Sequence, residues 1–127
     1  MTPFGYEIRK LRSERGVTLS DMAKALQVSP AYLSALEHGK RGKPSNLMVY
    51  QICSYLNIIW DDAEKLQKLA AISRPRVVVD TRYLTPNATL LANLLADRIH
   101  TLSEDKIKFF IKYLSPKKEH KPEERSY

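Results

Sequence analysis

The sequence predicts an all-α fold: a domain of five short helices, a brief extended segment and a C-terminal helical hairpin. Three observations carry this. Apolar residues recur at three- and four-residue spacing in short successive runs. The runs open at Ser or Thr, twice with Pro directly behind, and they close at Gly or Asn.

In the first helix Ile8, Leu11 and the aliphatic stem of Arg12 share one side, with Glu7, Lys10, Glu14 and Arg15 largely on the other, and Gly16 ends it. Thr18 caps a second helix that turns Leu19, Met22, Ala23 and Leu26 inward. Ser29 followed by Pro30 starts a third, in which Leu33 and Leu36 face the core until Gly39. The stretch from Gly39 to Pro44, dense in Lys, Arg, Gly and Pro, reads as a basic loop.

Ser45 caps a fourth helix with Leu47, Val49, Ile52, Cys53 and Leu56 on its apolar face, and Asn57 suits a left-handed terminator. Asp61 or Asp62 opens a fifth, bearing Ala63, Leu66, Leu69 and Ala70, with Trp60 expected to plug the core between the two. Ser73 to Pro75 break the pattern. Val77, Val78 and Val79 then read as a short strand or an extended crossing. Thr85 and Pro86 start a sixth helix with Leu91, Leu94, Leu95, Ile99 and Leu102 on its inward side. Ser103 caps a seventh, with Ile107, Phe110, Ile111 and Leu114 on one face. Four segments are expected: a five-helix domain over residues 1–73, a connector over 74–84, a helical pair over 85–114, and a disordered charged tail over 115–127.

Lys and Arg outnumber Asp and Glu by 21 to 14, a formal charge of +7, which favours a polyanionic partner through counterion release. A membrane surface is the weaker candidate, because the most apolar stretch, Leu90 to Ala96, is interrupted by Asn93 and falls far short of the roughly 20 apolar residues of a span. Residues Met1 to Glu7 lack the basic and apolar run of a signal peptide, so a cytoplasmic chain is expected. Cys53 is the single cysteine and reads as a small apolar core residue. His38, His100 and His120 have no metal-ligand spacing, no glycine loop is built to cradle phosphate, and Asp61 with Asp62 suits a helix N-terminus. No cofactor, metal or catalytic centre is therefore expected.

Thr18 to Glu37 forms helix, tight turn around Gln27 and Val28, and second helix, the layout of a helix-turn-helix. The run IRKLRSERGVTLSDMAKALQVSPAYLSALEHGKRGKPS resembles the XRE family of Cro and lambdoid-repressor domains, over roughly Phe4 to Ile72. Leu11 and Arg12 before Gly16, Leu19, Met22 and Ala23, Val28 at the turn, then Leu33, Leu36, Glu37 and Gly39, and Leu56 beyond the loop carry the likeness. The resemblance implies a Cro/repressor-type five-helix domain in a bacterial or phage-type transcription regulator. Its third helix would read the major groove with Pro30, Ala31, Ser34, Ala35 and His38. This face is sparse: Ser bonds donors or acceptors and Ala touches a thymine methyl, but no Gln, Asn or Arg offers bidentate readout.

Phosphate contacts are expected from Thr18 and the amides behind it, where many relatives carry Gln and this chain has Leu19, and from Ser29 and Tyr32. The loop cations Lys40, Arg41 and Lys43, with Ser45 and Asn46, complete the DNA-binding set. Arg12 and Glu37 are expected, on the same resemblance, to form a structural ion pair. Such domains bind two half-sites as two-fold dimers, so Val77, Val78, Val79, Leu91, Leu95, Ile99, Phe110 and Ile111 are candidate dimer contacts. The expected partners are an operator in double-stranded DNA and a second copy of the chain; RNA polymerase or a toxin is the candidate protein partner. The competing reading is an antitoxin-like protein that masks a toxin with its C-terminal helices and autoregulates its operon.

Overall fold

The computed structural model describes residues 1–116 and, among these, is entirely helical. Its helices are α1 (Pro3–Glu14), α2 (Leu19–Leu26), α3 (Pro30–Glu37), α4 (Asn46–Leu56), α5 (Trp60–Ala71), α6 (Pro86–Arg98) and α7 (Glu104–Leu114), with a 3-10 turn at Ile99–Thr101. The chain forms two compact units, Met1–Val78 and Val79–Tyr127. Residues 117–127, most of the segment expected to be a charged tail, lie outside the described residues.

Local chemistry places the helix starts. Thr2, Thr18, Ser29, Ser45, Thr85 and Ser103 each accept a hydrogen bond from the amide three residues on, a cap worth about 1 kcal/mol. The ends of α2 and α4 are set by left-handed residues, Gln27 and Asn57, both at φ 60°. In each case the next residue donates back into the helix, Val28 N to Ala23 O at 3.0 Å and Ile58 N to Cys53 O at 2.8 Å, which satisfies carbonyls the helix leaves open.

The core of the first unit lies among α1 to α5. Phe4 and Ile8 come from α1, Met22 and Ala23 from α2, Leu33 and Leu36 from α3. Met48, Val49, Ile52, Cys53 and Leu56 come from α4, and Leu66 and Ala70 from α5. A side chain of this size contributes about 1.5–3 kcal/mol when fully buried. α3 packs on both α1 and α2, so the segment between Ser29 and Glu37 is held from two directions.

Trp60 does not plug this core: it is 83% exposed. The left-handed turn at Asn57 instead carries Ile58 inward, and Ile58 joins the buried cluster. The fifth helix opens at Trp60, at φ 55°, rather than at Asp61 or Asp62; both carboxylates fall in its first turn, and Ile59 provides no side-chain cap. Ser73, expected only to break the helix, is buried. Its hydroxyl donates to Leu69 O at 2.7 Å and accepts from Phe4 N at 2.9 Å, tying the end of α5 to the start of α1.

Val77, Val78 and Val79 are exposed and have no regular secondary structure. A strand needs a partner to satisfy its backbone groups, and among the described residues there is none. In the second unit, α6 and α7 bury no residue. Leu91, Leu94, Leu95, Ile99 and Phe110, placed on inward faces by periodicity, line an open apolar groove of about 390 Å³ and stay between 42% and 67% exposed.

Candidate nucleic-acid interface

Helix α2, the turn at Gln27 and helix α3 form a helix-turn-helix whose second helix is fixed from behind. Leu33 and Leu36 anchor it in the core, and Glu37 is 2% exposed at its end. Glu37 meets Arg12 in a paired geometry, Nε to Oε2 at 3.1 Å and Nη2 to Oε1 at 3.3 Å, while Arg9 approaches Oε1 to 3.9 Å. Thr2 N also donates to Glu37 O at 3.2 Å, so both the side chain and the backbone of Glu37 are held by the N-terminal residues.

This burial has an electrostatic consequence. Between Ser29 and Asn46 the one carboxylate in the sequence is Glu37. With Glu37 turned inward against Arg12, the exposed cations Lys40, Arg41 and Lys43 face solvent with no carboxylate in the same segment to offset them. Backbone hydrogen bonds define the turn that carries these cations. Gly39 N donates to Leu36 O at 3.2 Å and Lys40 N to Ala35 O at 2.9 Å, closing α3 in a Schellman motif that needs the left-handed φ of 83° at Gly39. Gly42 N then returns to Gly39 O at 3.1 Å, and Pro44 is buried beyond it.

On α3, Pro30 and Ala31 are exposed, as is His38 just past its end, whereas Tyr32, Ser34 and Ala35 are half-buried. Ser34 and Ala35 are therefore less open than helical spacing alone implied, because α3 is packed from two sides. His38 Nδ1 lies 2.9 Å from Ser34 O. A carbonyl only accepts, so Nδ1 carries the hydrogen, and Nε2 of a neutral ring is left as an acceptor. The Arg41 guanidinium sits over the Tyr32 ring, 5.0 Å from its centroid.

The start of α2 is less open to an anion than expected. Thr18 Oγ1 accepts from Asp21 N at 3.0 Å, and Asp21 Oδ2 accepts from Thr18 N at 3.4 Å. This capping box takes up two amides and puts a carboxylate where a phosphate would come. Its spacing, Thr followed three residues later by an acid, is legible in the sequence and gives Asp21 a role that the reading of Thr18 alone missed. Ser29 and Ser45 likewise spend their oxygens on the caps of α3 and α4, while Asn46 is exposed at the start of α4. Arg15 is a second unforeseen contact, donating through Nε to Leu56 O at 3.1 Å and so joining the ends of α1 and α4.

Among the described residues no three His, Cys, Asp or Glu converge on a point, and no helix is long and apolar enough to cross a membrane.

Comparison with known proteins agrees with the geometry. The model of a helix-turn-helix domain family matches residues 5–61. An HTH-type transcriptional regulator of Deinococcus deserti, DdrOP3, is 36% identical over 100 residues, covering 76% of this chain and 74% of that protein. The HTH-type transcriptional repressor RghR of Bacillus subtilis is 36% identical over 61 residues, covering 48% of this chain and 45% of that protein. An uncharacterized HTH-type transcriptional regulator of the same organism, RghRB, is 32% identical over 62 residues, covering 49% and 45%. The chain thus spans less than half the length of the two Bacillus relatives. No solved structure gives a significant match. With its helix-turn-helix held by the Arg12–Glu37 pair and its likeness to DdrOP3 extending over three-quarters of the chain, the protein belongs to the XRE-type helix-turn-helix transcriptional regulators.

Proposed function

We propose that the chain regulates transcription by binding an operator in duplex DNA as a homodimer, with α3 in the major groove. The observation that carries this reading is the cationic segment Lys40, Arg41 and Lys43, placed by a Schellman turn at the end of α3 and relieved of its one neighbouring carboxylate. Pro30, Ala31 and His38 supply the exposed reading face. Base edges meet the first turns of such a helix, while cations beyond its end meet the backbone. Discrimination then comes from apolar contact with thymine methyls, from the acceptor on His38, and from DNA shape. Residues 1–73 act as the DNA-binding part and residues 85–114 as the dimerising part. Two half-sites about 34 Å apart need two copies, and the apolar groove of α6 and α7 is the surface available to join them.

The test is fluorescence anisotropy of the full chain on its own upstream region and on random duplex, at two salt concentrations, with the wild type and with Lys40 and Lys43 both changed to Ala. Selective binding that weakens with salt and with the substitutions is expected. Equal, weak affinity for both duplexes at physiological salt would remove the reading.

A further inference from the structure

Resting on the operator-binding reading, we infer that Tyr32 is the positioning residue for Arg41, holding its guanidinium for a single DNA phosphate beyond the end of α3. The two residues are brought together from opposite ends of the recognition helix. Tyr32 donates its amide to Ser29 Oγ at 3.0 Å, which holds its backbone at the helix start, and its half-buried side chain packs against the core. Arg41 is exposed and lies in the turn closed by the Gly42 N to Gly39 O bond at 3.1 Å, so its backbone is fixed as well. What remains free is a long side chain whose rotamer entropy, about 2 kcal/mol, is normally lost on binding.

The ring removes part of that cost beforehand. With the guanidinium over the aromatic face at 5.0 Å the attraction is electrostatic, and among the described residues its N–H donors make no hydrogen bond, so they stay available to another acceptor. Among the described residues no carboxylate pairs with Arg41. A tetrahedral oxyanion that accepts two parallel N–H bonds satisfies this edge, and in duplex DNA that group is a phosphate. Arg41 lies four residues past the end of α3, beyond the proposed reading residues Pro30, Ala31 and His38, where contacts to the DNA backbone fall.

A double-mutant cycle on the full chain tests this, with Kd and its salt dependence measured by anisotropy on the upstream duplex. Tyr32→Leu is expected to weaken binding about two- to fivefold, the size of an exposed cation–π contact. Arg41→Ala should weaken it further and lower the salt slope by about one. Tyr32→Leu should then cost nothing more in the Arg41→Ala background. Arg41→Ala should cost as much beside Tyr32→Phe as beside the wild-type ring. Because Tyr32 touches the core, Arg41→Lys at an exposed position supplies a second arm that leaves the fold intact. It keeps the charge but not the planar edge, and should weaken binding. Additive losses in the cycle, or an Arg41→Lys variant that binds as the wild type does, would overturn the assignment. A wild-type chain without salt-dependent duplex binding would instead defeat the operator reading on which it rests.

Discussion

Gly5 of α1 and Glu37 of α3 touch backbone to backbone: a Cβ built on Gly5 would lie 2.6 Å from the Glu37 carbonyl carbon and 2.7 Å from its Cα. The position tolerates no side chain because its neighbour is main chain, which cannot rotate away. Gly5→Ala should therefore force the two helices apart and cost about 3 kcal/mol or more. Gly16→Ala is the contrast, since a Cβ there meets nothing within 4 Å and only the φ of 66° opposes it, for about 1–2 kcal/mol. Urea melts of the two variants check the order; a Gly5→Ala variant as stable as Gly16→Ala would show that the helices do not approach this closely.

The same end of α3 holds the buried Arg12–Glu37 pair. Removing one member leaves the other charged and without its partner in a dry site, so Glu37→Ala or Arg12→Ala is expected to lose about 3–5 kcal/mol, a large part of the 5–15 kcal/mol typical of a domain. Replacing both, Arg12→Met with Glu37→Leu, should recover most of the loss, because the pair's attraction is largely offset by the cost of taking two charges out of water. Thermal unfolding of the singles and the double measures this. A double variant as unstable as the sum of the singles would mean that the two residues act independently, so that neither single loss comes from stranding a charged partner.

Local signals were legible in the sequence and tertiary ones less so. Thr18, Ser29 with Pro30, Ser45, Thr85 with Pro86, and Ser103 mark helix starts because a cap depends only on neighbours three residues away. The loop cations could be read as a group because they are adjacent in the chain. Trp60 could not be placed that way. Apolar character draws a residue toward the core, but the left-handed turn at Asn57 decides which residue faces in, and it turns Ile58 inward. Gly5 carries no local signature, since its requirement comes from Glu37, more than thirty positions on. The approach of Arg41 to the Tyr32 ring depends on how the Schellman turn at Gly39 brings the loop back. Periodicity in α6 and α7 identified an apolar face, yet a pattern along one helix does not say what covers it.

Cys53 is buried within α4, and burial pushes its thiol above the usual range. An ordinary thiol loses its proton near pH 8.5, so above that pH the unfolded chain binds fewer protons at this position than the folded one. Its contribution to stability is then constant at neutral pH and declines as pH rises through the unfolded value, until the folded thiol titrates too. Urea melts between pH 7 and pH 10 should show this alkaline decline, made shallower by Cys53→Ala. A thiol reagent should label the native chain only as fast as it opens; immediate labelling at pH 8 would contradict the burial.

The second unit makes the sharpest demand on an assembly. Leu95 and Phe110 line the groove between α6 and α7, each 42% exposed, and neither helix has a buried residue to stabilise it from within. Exposed apolar surface of this kind is what an isologous dimer covers. Changing Leu95 to Lys and Phe110 to Glu puts charge in the groove of each copy without touching α1 to α5. The wild type should sediment as a dimer, and the double variant as a monomer with the first unit still folded. Its operator affinity should fall about 100-fold, because joining two half-site modules contributes by effective concentration rather than by new contacts to DNA. A wild-type monomer with full operator affinity would remove the groove from the DNA-binding function and favour a different protein, such as a toxin, as its occupant.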